Sequence, residues 1–140
     1  MAAATSIMRA QQVVLARVDE ALKSFDLTFA RYEALVLLTF SRRGSLPLGK
    51  MGERLMIHPT SVTNIVDRLE AQGLVKRVDH PTDRRTTLCE ITTRGRRIVA
   101  AATESVTAVQ FGIVGLSEGE VDHLIDLLTK FRRASGDFDH

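Results

Sequence analysis

Residues 59–73, PTSVTNIVDRLEAQG, hold a helix start, a helix stop and a two-faced interior within one short run. Pro59 suits the first helical position, where the N–H that proline lacks would have no partner anyway. Gly73 suits the position just past a helix end, where the backbone turns left-handed. Between them Val62, Ile65, Val66 and Leu69 recur at helical spacing as a single apolar stripe. The other face carries Thr60, Ser61, Thr63, Asn64 and Arg68. It is short, polar and rich in donors, unlike a solvated face saturated with Lys and Glu.

Further elements flank this helix. Ile7, Val14, Val18, Leu22 and Phe25 recur among Gln11, Arg17, Asp19, Glu20 and Lys23, which predicts an amphipathic helix of about five turns. Thr28 reads as the N-cap of a second helix through Tyr32, Leu35, Val36, Leu38 and Phe40. Glycines and a proline in SRRGSLPLG, residues 41–49, break it. A short helix, KMGERLMI, then puts Met51 and Leu55 on one face before His58-Pro59 restarts the chain. Leu74–Val78 and Leu88–Thr92 alternate as short strands, so the charged knot between them, with DHPTDRR at its centre, is most simply a hairpin loop. Thr93 begins a long helix through Ile98, Val99, Ala102 and Val106 to about Val114. Ser117 followed by Glu120 is a capping box for a last helix with the stripe Val121, Leu124, Ile125, Leu128 and Phe131. Gly112, Gly115 and Gly119 mark a bend between the last two helices rather than a domain linker.

At 140 residues, 44% hydrophobic and 26% charged, the chain fits one ordinary globular domain. No apolar run approaches the roughly 20 residues that span a bilayer, and MAAATSIMR lacks the pattern of a secretory signal. The single cysteine cannot form an internal disulfide, which suits a reducing interior. A cytoplasmic protein is therefore expected. Net charge is only +2, yet Lys76 to Arg97 hold seven cations against three anions. Charge alone leaves two readings open, a surface that meets phosphates or a solvated arginine-rich face.

Helix, short helix, polar-faced helix and a hairpin with arginines at its tip make a mainly α winged helix-turn-helix with a small wing of two or three strands. A helix fits the DNA major groove, and short polar side chains approach base edges there without clashing. The hairpin reaches the neighbouring minor groove, whose negative potential attracts arginine where it narrows. LTFARYEALVLL, LGKMGERLMIHPTSVTNIVDRLEAQGLVKR and DHPTDRRTTLCEITTRG together resemble the MarR family of bacterial transcription regulators. The resemblance covers Leu27 to Gly95, including T-x-x-V-D-R-L-E-x-x-G-L-V-x-R from Thr63 to Arg77 and a D-R-R wing ending in I-T-x-x-G.

That resemblance implies a homodimer that represses transcription from a pseudo-palindromic double-stranded operator. Residues 1–27 and 96–140 would dimerise, and 28–95 would form the DNA-binding lobe of one compact domain. Arg85 would enter the minor groove with Asp83 and Arg84 shaping or flanking it, while Thr60, Ser61, Thr63, Asn64 and Arg68 face the major groove or its phosphates. A small aromatic or anionic effector would bind a crevice whose candidate residues are Arg17, Phe29, Arg31 and Tyr32. The chain has no tryptophan, so the tryptophan-containing urate pocket of some relatives is not reproduced. The first helix also lacks the reactive cysteine through which others sense peroxide.

Other readings are weaker. His58, His80, His123 and His140 show no H-E-x-x-H or other ligand spacing, so neither an enzyme nor a metal or other cofactor is expected. His80 beside Asp79 and Asp83 sits on a hairpin tip, a poor place to hold metal ligands rigidly. Cys89 reads as a small strand residue, and Asp67 as a structural partner for a cation. Arg94, Arg96 and Arg97 are either phosphate clamps or surface charge. A winged helix that binds protein instead of DNA is the alternative, but such versions tend to show apolar patches where this chain is polar and basic.

Overall fold

Side chains decide where several helices begin. In the computed structural model, which describes Met1 to Phe138 and leaves His140 outside, Thr28 accepts the Arg31 N–H and starts α2 (Phe29–Thr39). The His58 imidazole accepts the Thr60 N–H at 3.2 Å and starts α4 (Pro59–Ala71), with Pro59 in the first turn. Thr92 accepts from Gly95 at 3.0 Å and starts α5 (Thr93–Ala108). Ser117 and Glu120 form the reciprocal capping box of α6 (Glu118–Ala134), at 2.8 and 3.2 Å. Each such cap satisfies an orphan N–H and contributes about 1 kcal/mol.

The remaining elements are α1 (Ala2–Leu22), β1 (Ser45–Pro47), α3 (Leu48–Leu55), β2 (Val75–Asp79) and β3 (Thr87–Ile91). α1 starts ahead of Ile7, where the sequence pattern begins, and hands over to a 3-10 turn at Lys23–Phe25. The sheet is antiparallel in the order β1-β3-β2. β1 lies in the segment that reads from sequence as a break. It pairs Ser45 with Glu90 and Pro47 with Leu88, because β3 offers an open edge on that side. Pairing down to Pro47 also brings the start of α3 forward to Leu48.

α5 ends at Ala108, six residues before the expected Val114, and the cause is tertiary. Gln110, Phe111 and Gly112 take left-handed φ values of 54°, 51° and 77°. The Arg17 guanidinium donates to the Gly112 carbonyl at 2.9 Å, and a Cβ on Gly112 would lie 3.1 Å from the Val14 carbonyl oxygen. α1 therefore pins this turn, and glycine suits a left-handed residue held this close to the α1 backbone.

One apolar cluster joins Val18 and Leu22 of α1, Leu35 and Leu38 of α2, Met51 of α3, Val66 and Leu69 of α4, and Val99 and Val106 of α5. Cys89 on β3 belongs to it and is fully buried. Burial pushes its thiol up to about 12, so thiolate is scarce at neutral pH. A thiol reagent such as DTNB should therefore leave the folded protein unmodified and react stoichiometrically in guanidinium. Fast reaction with the native protein would contradict the packing described. α6 buries no residue.

Candidate nucleic-acid interface

α4 turns Val62, Val66 and Leu69 inward and leaves Thr60, Ser61, Thr63, Asn64, Asp67 and Arg68 exposed. Thr63 Oγ1 donates to the Pro59 carbonyl at 3.2 Å, so its hydroxyl presents lone pairs outward. Among the described residues the side chains of Asn64 and Arg68 have no hydrogen-bond partner. Asp67 does. Its carboxylate accepts from Arg77 at 2.6 Å, and Glu70 accepts from the same guanidinium at 2.7 Å. Glu70 also takes the Arg77 backbone N–H at 3.1 Å. The hydrogen bond that Arg77 donates to Asp67, reinforced by the one to Glu70, raises the Arg77 pKa further. This clamp sets β2 against α4, so the wing and the polar helix face share one rigid frame.

The wing tip is organised by acceptors that gather backbone N–H groups. His80 Nδ1 accepts from Thr82 and Asp83 at 3.2 and 3.0 Å. The Asp83 carboxylate accepts the Arg85 N–H at 3.0 Å and the Thr86 hydroxyl at 2.8 Å, and those two bonds hold its pKa below the usual carboxylate range. Asp83 and His80 thus build the turn. Arg84 and Arg85 project from it, exposed, with no ion-pair partner among the described residues.

The wing is anchored at its base by the residues of the I-T-x-x-G run. Ile91 is buried, and Thr92 donates to the Gly73 carbonyl at 2.7 Å while capping α5. Gly95 lies against the Leu74 carbonyl, where any side chain would collide. The arginines beyond it diverge. Arg94 borders Gly73 at the end of α4, whereas the Arg96 guanidinium packs over Gly44, just ahead of β1.

A second feature lies between α2 and α5. It is a cavity of about 540 Å³ lined by Tyr32, Glu33, Val36, Phe40, Arg96 and Phe111, among others. Of the four residues expected to share a crevice, only Tyr32 lines it. Arg17 is spent on the Gly112 carbonyl. The Phe29 N–H donates to Asp19 at 2.7 Å, and its ring packs on the core. Arg31 reaches the Asp26 carbonyl at 3.2 Å and Gln72 at 3.4 Å, tying α2 to the end of α4. Neighbouring places on a helix did not bring these groups together. Glu33, Arg96 and Phe111 escape a sequence reading because they come from α2, α5 and a strained turn that share no motif.

A family model described as "MarR family" matches residues 30–87. The structure of Sco5413, a MarR family transcriptional regulator from Streptomyces coelicolor, is 54% identical in sequence, with TM-score 0.93, over 100% of this chain and 97% of that one. The chain belongs to the MarR family. Its members here are transcriptional regulators, and this MarR-family chain has the mainly α, three-stranded winged-helix fold of their structures. A MarR mutant from Escherichia coli, in complex with operator DNA, is 25% identical with TM-score 0.83 over 91% of each chain. The uncharacterized HTH-type regulator YhbI of Bacillus subtilis is 34% identical over 94 residues, a match that takes in 67% of this chain and 56% of YhbI. Among the described residues no helix of this MarR-family chain is long and apolar enough to cross a membrane.

Proposed function

We propose that this MarR-family chain acts in the cytoplasm as a homodimeric, sequence-specific repressor that binds a pseudo-palindromic duplex operator. The observation that carries the reading is the exposed pair Arg84 and Arg85, without an ion-pair partner among the described residues, on a wing clamped to the polar face of α4. On this reading Thr60, Ser61, Thr63, Asn64 and Arg68 meet major-groove edges and phosphates, and Arg85 meets the adjacent minor groove. The operator complex of the Escherichia coli relative supports it. Exposed apolar residues on α1 and α6 support residues 1–27 and 96–140 as the dimerising parts around a DNA-binding lobe at 28–95. Repression is adopted as the family's common mode. A small-molecule effector in the α2–α5 cavity would shift the population of DNA-fitting dimers.

Selection of bound sites from random duplex, followed by a mobility shift across a salt series, tests this. A two-fold motif with half-sites about one helical turn apart and a steep loss of affinity with salt are the expected results. Binding that ignores salt, or no duplex bound, refutes it.

Two substitutions refine the assignment. Arg85→Ala should weaken binding roughly tenfold on A·T-flanked sites and much less elsewhere. A small uniform loss across sequences would contradict the minor-groove role. Asn64→Ala should cost about 1–3 kcal/mol at the base pair it reads. An unchanged selected motif would make Asn64 a bystander.

A further inference from the structure

We propose that the α2–α5 cavity is a receptor for an apolar amine, with the Glu33 carboxylate as counter-charge. The proposal rests on reading the cavity as an effector site and adds the chemical class of its ligand. The walls are mainly apolar, from Val36, Phe40, Val99, Ala100 and Phe111. Three hydroxyls complete them, and each has spent its proton inward. Thr39 donates to the Leu35 carbonyl at 2.9 Å, and Thr103 donates to the Val99 carbonyl at 2.7 Å. The Tyr32 hydroxyl lies 2.8 Å from Thr103 Oγ1, whose proton is already committed, so Tyr32 is the donor in that bond. What these hydroxyls can offer a ligand is lone pairs.

Glu33 adds an acceptor that carries charge. Among the described residues its carboxylate has no hydrogen-bond or ion-pair partner. Glu33 stands exposed at the rim of the cavity, and partial loss of hydration against the apolar walls raises its pKa from the ordinary carboxylate value. Arg96 supplies the only charged donors in the lining, with its guanidinium packed over Gly44. An aromatic acid would set its carboxylate among acceptors, with Arg96 alone to answer it. An ammonium group meets one carboxylate and several lone pairs, and its apolar body fills a volume of about 540 Å³.

The chain supplies its own reporter, because Tyr32 is its only tyrosine and it has no tryptophan. Tyrosine emission of the full chain would be titrated with 4-phenylbutylamine and with 4-phenylbutyrate, which share a ring and chain and differ in charge. The amine is expected to bind at least tenfold more tightly. Glu33→Gln should remove that preference at an unchanged melting temperature, and Arg96→Gln should weaken the acid and widen the preference. Tighter binding of the acid, a preference that survives Glu33→Gln, or no saturable response to either probe overturns the proposal. The readout needs no DNA, so failure of the DNA-binding reading leaves the amine site standing. An amine that saturates Tyr32 without loosening selected duplex would instead refute the effector reading alone.

Discussion

Ile125→Asp combined with Phe131→Asp is expected to give a folded monomer in sedimentation and to lower duplex affinity by about two to four orders of magnitude. These side chains are 54% and 61% exposed on α6, and Leu127 is 54% exposed. On α1, Ile7 and Met8 stand 46% and 67% exposed. The sequence allowed both stripes to fold back on their own chain; Val18 and Leu22 of α1 do so, whereas α6 buries no residue. A second copy that brings α1 and α6 stripes together removes this surface from water at about 25 cal/mol per Å². A carboxylate forced into such a contact costs several kcal/mol unless paired. On the proposed reading, losing the dimer also separates two recognition helices that would meet half-sites about 34 Å apart. A double variant that still sediments as a dimer and still binds duplex would remove α6 from the interface.

Gly95→Ala should destabilise the fold by about 3 kcal/mol and lower the melting temperature by roughly 10 °C. Alanine is normally the better helix residue by about 1 kcal/mol, so the expected sign is opposite to helix propensity. The reason is a backbone, not a side chain. A Cβ at Gly95 would overlap the Leu74 carbonyl oxygen and lie 2.8 Å from Ile91 Cγ1. That carbonyl already accepts the Thr92 N–H at 3.0 Å and cannot withdraw without breaking the joint between wing and α5. Because the joint also orients the wing, duplex binding should fall together with stability. A variant that melts at or above the parent temperature would show that the strand and helix separate easily here.

Much of the framework of the candidate interface was legible in the chain because its determinants are local. The stripe of Val62, Val66 and Leu69, the restart at Pro59 and the stop at Gly73 act within a few residues of one another. The same holds for Asp83, whose carboxylate closes the tip from which Arg84 and Arg85 project. Asp67 was readable as a partner for a cation, but which cation required the wing to return beside α4 and present Arg77. The expected crevice fared differently. Arg17 and Arg31 are plausible ligand-binding arginines by helix position, yet Arg17 is committed to the distant Gly112 carbonyl, and Arg31 to the Asp26 carbonyl just ahead of its own helix and to Gln72 at the end of α4.

By itself the sequence determined where α2, α4, α5 and α6 start, which face of α4 stays polar and that a hairpin carries the arginines. Caps, periodicity and turn chemistry act over one or two helical turns, so they need no distant partner. Only the tertiary structure decided that Ser45–Pro47 is a strand, that α5 stops at Ala108, and that Glu33 and Arg96 face one cavity. A three-residue strand has no period to read and exists because β3 leaves an edge open. The turn at Gln110–Gly112 exists because Arg17 and the α1 backbone hold it there. The cavity exists because α2, α5 and that turn meet, and nothing local in any of them announces the other two.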